Sequence, residues 1–309
     1  TMSAAGLPSP IFTNTNVTAP TIAAFGGVTK SEIRMNWSQG ANPSNLAYRA
    51  EASQDPTFVT WVSSQTGTDI FTALFGGLAP NASYYFRVWG QTGPAVSTGP
   101  VATLGLSPST ATPVFSGVFV TSLTANWTSG GNPAGTRYEI QLSSASDFLG
   151  VVVSSAGTTA VSAGFVGLAP NTSYYARVRA IGHGGAASPI EFLALGSTAT
   201  LAVDPAHSAP YWSSVSSAGL SVILSAGSNP SGTAFNLQLS SAAGFTTLTG
   251  EVSGIFTGAT ATASIAGLDS NWKFYSRVRA VNRNSIPTAW VASGLSTATA
   301  SRSRPERPP

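Results

Sequence analysis

The chain has 309 residues, of which 8% are charged, 42% hydrophobic and 10% aromatic, a balance that excludes intrinsic disorder. It has no cysteine, which excludes a disulfide framework, thiolate metal sites and cysteine nucleophiles. Of the net charge of +3, the last nine residues carry +2, so the remaining 300 residues hold 11 basic and 10 acidic groups and no basic stripe marks a nucleic-acid binder.

In chain order, residues 1–19 come first as an extended N-terminal segment. It has no charged region followed by an apolar run, so any signal peptide is expected to have been removed. Neither here nor later does a run approach the roughly 18 apolar residues of a membrane span. SPIFTNTNVTAP (9–20) resembles SPIEFLALGSTATLAVDPA (188–206), where a last strand and a linker are expected. The segment therefore reads as a final strand without its domain. It is a donor strand built on Pro10, Ile11, Phe12 and Val17 that adds to a neighbouring copy, the remnant of a longer array, or a leader folding onto the first domain.

From residue 20 the chain repeats itself. LAPNASYYFRVWG (78–90) recurs as LAPNTSYYARVRA (168–180) and as LDSNWKFYSRVRA (268–280). Upstream, MNWSQGANPSNLAYRAEAS (35–53) matches NWTSGGNPAGTRYEIQLS (126–143) and ILSAGSNPSGTAFNLQLS (223–240), and Phe58, Phe148 and Phe245 hold one place in each copy. The expected domains are 20–106, 107–205 and 206–299, followed by an Arg/Pro-rich tail over 300–309. Each reads as all-β. In RYEIQLS (137–143), Arg137, Glu139 and Gln141 face outward and Tyr138, Ile140 and Leu142 inward, the period of a half-buried strand. Turn signals such as GGNPAG (130–135) and APNTS (169–173) separate the strands, and short strands at this spacing predict a sandwich.

Trp127, Tyr138 and the run Leu168, Pro170, Thr172, Tyr174, Val178 and Ala180 resemble the fibronectin type III domain, in three tandem copies over residues 20–299. The first copy keeps Trp37, Tyr48, Leu78, Pro80, Tyr84 and Val88. The third departs further, with Leu224, Phe235, Ser270 and Phe274 in place of the tryptophan, third-strand tyrosine, proline and corner tyrosine. The resemblance implies three immunoglobulin-like β-sandwiches in an extended rod of about 100–120 Å. In this architecture the corner tyrosine bonds its hydroxyl to nearby backbone. Phe274 cannot, so the third domain is expected to be the least stable. The fold itself implies no single activity.

No catalytic, cofactor-binding or metal-ligating residue is expected. The carboxylates are scattered over turns and strand surfaces, and His183 sits in a glycine-rich turn, GHGG (182–185), without the strand-to-helix context of a phosphate loop. The outward row of the sixth strand is more informative: Tyr85, Arg87 and Trp89, then Tyr175, Arg177 and Arg179, then Tyr275, Arg277 and Arg279. Such groups stack by cation–π contact and suit an interaction face. Arg49 and Glu51, or Arg137 and Glu139, on the adjacent strand allow a self-satisfied ladder instead. Asn236 and Gln238 leave Arg277 and Arg279 less compensated. Five N-x-S/T sequons, at Asn16, Asn36, Asn81, Asn126 and Asn171, are sterically plausible glycosylation sites.

Low charge favours close contact with like molecules. The leading expectation is a non-enzymatic extracellular structural protein, a cell-surface fibre or sheath subunit assembling by strand addition between copies. The alternative is an adhesin stalk or binding spacer of a larger secreted protein, with surface glycan or protein as partner and Trp61, Trp212 and Trp290 as polysaccharide contacts.

Overall fold

The computed structural model describes residues 16–150, 152–183, 191–270, 272–293 and 298–299. The first seven strands are β1 (Thr21–Ile22), β2 (Ile33–Ser38), β3 (Ala47–Ser53), β4 (Ser63–Thr68), β5 (Thr72–Phe75), β6 (Ser83–Gly90) and β7 (Val96–Ala102), with alternating burial plain in β2 and β6. They pair as two sheets, β1-β2-β5 and β4-β3-β6-β7. The second set is β8 (Ser109–Ser116), β9 (Ser122–Thr128), β10 (Arg137–Ser143), β11 (Val152–Thr158), β12 (Ser162–Val166), β13 (Ser173–Ile181) and β14 (Leu193–Ala199). It repeats the scheme as β12-β9-β8 and β11-β10-β13-β14. The third set is β15 (Ala206–Val215), β16 (Gly219–Ser225), β17 (Ala234–Ser240), β18 (Leu248–Ile255), β19 (Thr260–Ala266), β20 (Lys273–Val281), β21 (Val291–Ala292) and β22 (Ala298–Thr299). Its sheets are β15-β16-β19 and β18-β17-β20-β21, with β22 also on β20. The described residues are all-β, and each set of strands pairs as two sheets.

By contact the chain falls into two compact units. The first comprises the described residues of Thr1–Ser107, Ser129–Arg137 and Ala180–Glu191, so the first sandwich shares its unit with two loop regions of the second. The other unit comprises those of Pro108–Thr128, Tyr138–Arg179 and Phe192–Pro309.

The inward positions of facing strands make each core. In the first sandwich Ile33, Met35, Trp37, Tyr48, Phe75, Phe86 and Val88 are buried together. Each such side chain contributes about 1.5–3 kcal/mol on leaving water. Trp37 lies 6.3 Å from Tyr48, and Trp127 lies 5.9 Å from Tyr138, centroid to centroid. The third core substitutes Leu224 and Phe235, and Phe235 meets Phe256 at 4.9 Å. The corner tyrosines behave as the resemblance implies. Tyr84 Oη accepts from the Ala79 N–H at 2.8 Å and Tyr174 Oη from the Ala169 N–H at 2.9 Å. Phe274, 1% exposed, closes its corner by packing.

The linker entering each sandwich is held by an asparagine that the Asn-Pro turns supply. Asn42 accepts from the Thr18 N–H at 2.7 Å and donates to the Thr18 carbonyl at 3.0 Å. Asn132 does the same to Leu106, at 2.8 Å both ways. Asn229 does so to Val203, again at 2.8 Å both ways. Three linkers thus share one clamp.

His207 of β15 is half-buried. Its Nε2 lies 2.9 Å from Ser276 Oγ, and loss of hydration lowers its pKa from 6.5 to about 4. The folded pKa is below the unfolded one, so this contribution is complete above pH 6.5. It falls as the pH drops and is gone below about pH 4, a change of at most about 3 kcal/mol. Urea midpoints measured between pH 7 and 4 should fall for the native chain, and His207→Gln should flatten that slope.

Candidate arginine–aromatic interaction face

Strand alternation puts Tyr85, Arg87 and Trp89 of β6, Tyr175, Arg177 and Arg179 of β13, and Tyr275, Arg277 and Arg279 of β20 on one half-buried face of their sheets. The guanidiniums are tied across the strands. Arg87 Nε donates to Glu51 Oε2 at 2.8 Å, and Arg49 pairs with Glu51 Oε1 at 2.6 Å. Arg177 Nε donates to Gln141 at 2.8 Å, and Arg179 Nε to Glu139 at 2.8 Å. In the third copy amide oxygens replace carboxylates: Gln238 accepts from Arg277 at 2.8 Å and Asn236 from Arg279 at 3.1 Å. Those two charges are hydrogen-bonded but not neutralised by these partners.

Each ladder also recruits rings from outside the strand. Arg87 stacks on Phe58 at 4.4 Å, Arg177 on Phe148 at 4.1 Å and Arg277 on Phe245 at 4.4 Å. A second ring completes the stack in two copies. Phe192 lies 4.4 Å from both Arg177 and Arg179, and Trp290 lies 4.6 Å from Arg277 and 4.4 Å from Arg279. The register explains the equivalence. Arg87, Arg177 and Arg277 face Ser97, Ala194 and Ala292, so Ala95, Phe192 and Trp290 hold the same place two residues earlier. The first copy has no ring there. Trp89 is its substitute, 5.3 Å from Arg87 and 5.5 Å from Arg49, with Trp61 5.6 Å from Arg49.

The turn that delivers the first ring is built the same way three times. Ser53, Ser143 and Ser240 are buried, and their hydroxyls accept from the N–H groups of Asp55, Ala145 and Ala242. The carbonyls of those residues then accept from the N–H groups of Phe58, Phe148 and Phe245. All three phenylalanines are left-handed, with φ of 56°, 59° and 54°. That conformation costs a residue with a Cβ about 1–2 kcal/mol, which the guanidinium stack offsets. In the first copy the Thr57 hydroxyl, then the Thr57 N–H, hold the Asp55 carboxyl below its usual pKa.

The three tryptophans named with the binding alternative do not share one role. Trp61 is 51% exposed over Arg49, Trp212 packs half-buried against the third core, and Trp290 belongs to the arginine stack. The contributions of Phe192 and of the three phenylalanine turns were not visible as a site in the sequence. The one signal was the recurrence of Phe58, Phe148 and Phe245 in register.

One expectation needs correction. Asn81 and Asn171 are each 1% exposed. Their amide nitrogens donate to Thr136 Oγ1 at 2.9 Å and Thr233 Oγ1 at 2.8 Å. Their oxygens accept from the N–H of His183 at 3.0 Å and of Arg283 at 2.8 Å. A glycan on either nitrogen has no room. Asn16 is exposed, while Asn36 and Asn126 are partly exposed and bonded to Ala24 O and Ser116 Oγ. Val17 is seated on its own sandwich: a Cβ on Gly90 or Gly93 would come within 2.8 or 2.6 Å of its Cγ1. Pro10, Ile11 and Phe12 lie outside the described residues.

Two outcomes check this geometry. Phe148→Ala should cost about 2–3 kcal/mol in urea unfolding, and Phe148→Gly about 1 kcal/mol less, because glycine accepts the left-handed backbone. Glycopeptide mass spectrometry of folded protein secreted from a glycosylating host should find Asn81 and Asn171 bare.

No family model and no curated protein matches the chain. Among solved structures it is similar to the FN1–FN3 domains of chicken CNTN1, with 15% identity, a TM-score of 0.28 and coverage of 93% of this chain and 100% of that one. It is also similar to a two-domain fibronectin type III segment of chicken tenascin, with 15% identity, a TM-score of 0.40 and coverage of 59% of this chain and 99% of that one.

Proposed function

We propose that the chain is a non-enzymatic, extracellular structural or adhesion-type region, a spacer whose joins between consecutive sandwiches are held by buried side-chain amides. The observation that carries this reading is one device used twice. Asn81 bonds Thr136 and the His183 backbone, and Asn171 bonds Thr233 and the Arg283 backbone. Asn282 adds a bond to the Thr200 carbonyl at 3.2 Å. Consecutive domains on a flexible linker move independently by default. Two or three buried hydrogen bonds, each contributing about 1 kcal/mol net, oppose that motion at each join. A region that transmits force or holds a binding face away from a surface needs joins of this kind. Placement outside the cell rests on the resemblance and on the low charge.

Limited proteolysis tests the joins. Asn81→Ala with Asn171→Ala should raise cleavage within residues 103–108 and 200–205 by about five- to tenfold, the factor expected for about 1 kcal/mol or slightly more per join. Equal cleavage of both proteins would count against a held join. Immunogold labelling of producing cells should find the chain at the surface, and a cytoplasmic signal would overturn the placement.

Self-assembly by strand addition is the second reading, favoured by the recurrence of Ser9-Pro10-Ile11 as Ser188-Pro189-Ile190. Concentration-dependent oligomers that disappear on removal of residues 1–15 would support it. Monomers at high concentration in both samples would remove it.

A further inference from the structure

The arginine ladder of the first sandwich is open where its two sisters are closed. Ala95 stands at the place of Phe192 and Trp290, and a recess of about 200 Å³ lined by Arg87, Trp89, Gly93 and Ala95 takes the room of the missing ring. A second recess of about 260 Å³ also borders Trp89, lined by Ala47, Tyr48, Arg49, Thr66, Trp89 and Gln91. Each is smaller than the roughly 300–1,000 Å³ of a whole small-ligand site and has room for one part of an extended ligand.

In the second recess the Arg49 side chain is 40% exposed, so its guanidinium is within reach of a ligand. The charge is also unbalanced: Arg49 and Arg87 share the single carboxylate of Glu51.

We propose that the two recesses flanking Trp89 bind consecutive residues of an acidic, uronate-containing polysaccharide. The indole of Trp89 and the exposed ring of Trp61 offer apolar faces to the C–H side of sugar rings. A uronate carboxylate supplies an acceptor for the exposed Arg49 guanidinium and the missing negative charge. Thr66 and Gln91 have the hydroxyl and amide chemistry to meet ring hydroxyls. A linear polymer fits two recesses divided by one ring better than a single compact ligand does. The site stands apart from the spacer reading, since none of its lining residues belongs to the asparagine joins.

Isothermal titration of the full chain with tetragalacturonate tests the proposal, with neutral maltotetraose and hexaglutamate as controls. Tetragalacturonate should bind, both controls at least about tenfold more weakly, and added salt should weaken it. Arg49→Asn should reduce affinity about tenfold by removing the cation that meets the carboxylate. Ala95→Phe should reduce it about tenfold while raising the melting temperature, because the new ring completes the stack. Both substitutions copy residue types that the sister sandwiches already fold with. No binding of tetragalacturonate at millimolar concentration would overturn the proposal. So would equal binding of either control, or affinity untouched by both variants.

Discussion

A linker that enters a sandwich must satisfy its backbone polar groups with no strand beside it. One asparagine side chain meets that constraint at Thr18, Leu106 and Val203 by accepting from the N–H and donating to the carbonyl of the same residue. Its second amide hydrogen closes its own turn, onto the Gln39, Ser129 and Ala226 carbonyls. The proline after each asparagine fixes the turn. Asn45, Gly135 and Gly232, with φ of 63°, 84° and 86°, then swing the chain into β3, β10 and β17. Thr136 and Thr233 follow directly, so the clamp also sets the acceptors that Asn81 and Asn171 reach. In the first copy Leu46 stands at that position, half-buried against the core with Val28 and Val96.

The same economy of local geometry produces the outer face. A buried serine shapes a turn, the turn forces a phenylalanine into a left-handed backbone, and the ring lands on an arginine of a strand far off in sequence. The strain and the stack belong together. A bulky side chain at positive φ persists where surrounding contacts over-determine it, and here it does so in all three copies.

Differences between copies then matter more than their likeness. The carboxylate on the ladder is Glu51 in the first sandwich and Glu139 in the second, one residue pair further along. In the third, two amides take its place. The stacked rings vary in the same manner, and among the arginine-stacked rings of the described residues only Trp89 sits within the arginine row itself. Charge, ring and recess therefore coincide on the first sandwich, which gives a repetitive chain one chemically distinct face.

Much of this was legible in the residues. Period-two alternation, the Asn-Pro and Leu-x-Pro turns and the threefold recurrence dictate an all-β chain of repeated sandwiches, because those signals act between near neighbours. The outward rows of β6, β13 and β20 follow from the same alternation. Tertiary structure alone decided which groups meet those rows. Phe192 and Trp290 enter the stacks from segments whose spacing from the arginines differs between copies, and only strand register makes them equivalent to Ala95. Asn81 and Asn171 read as open sequons because a local motif carries no information about burial. The next sandwich covers them, and a contact between residues 55 or 62 positions apart leaves no periodic trace in the chain.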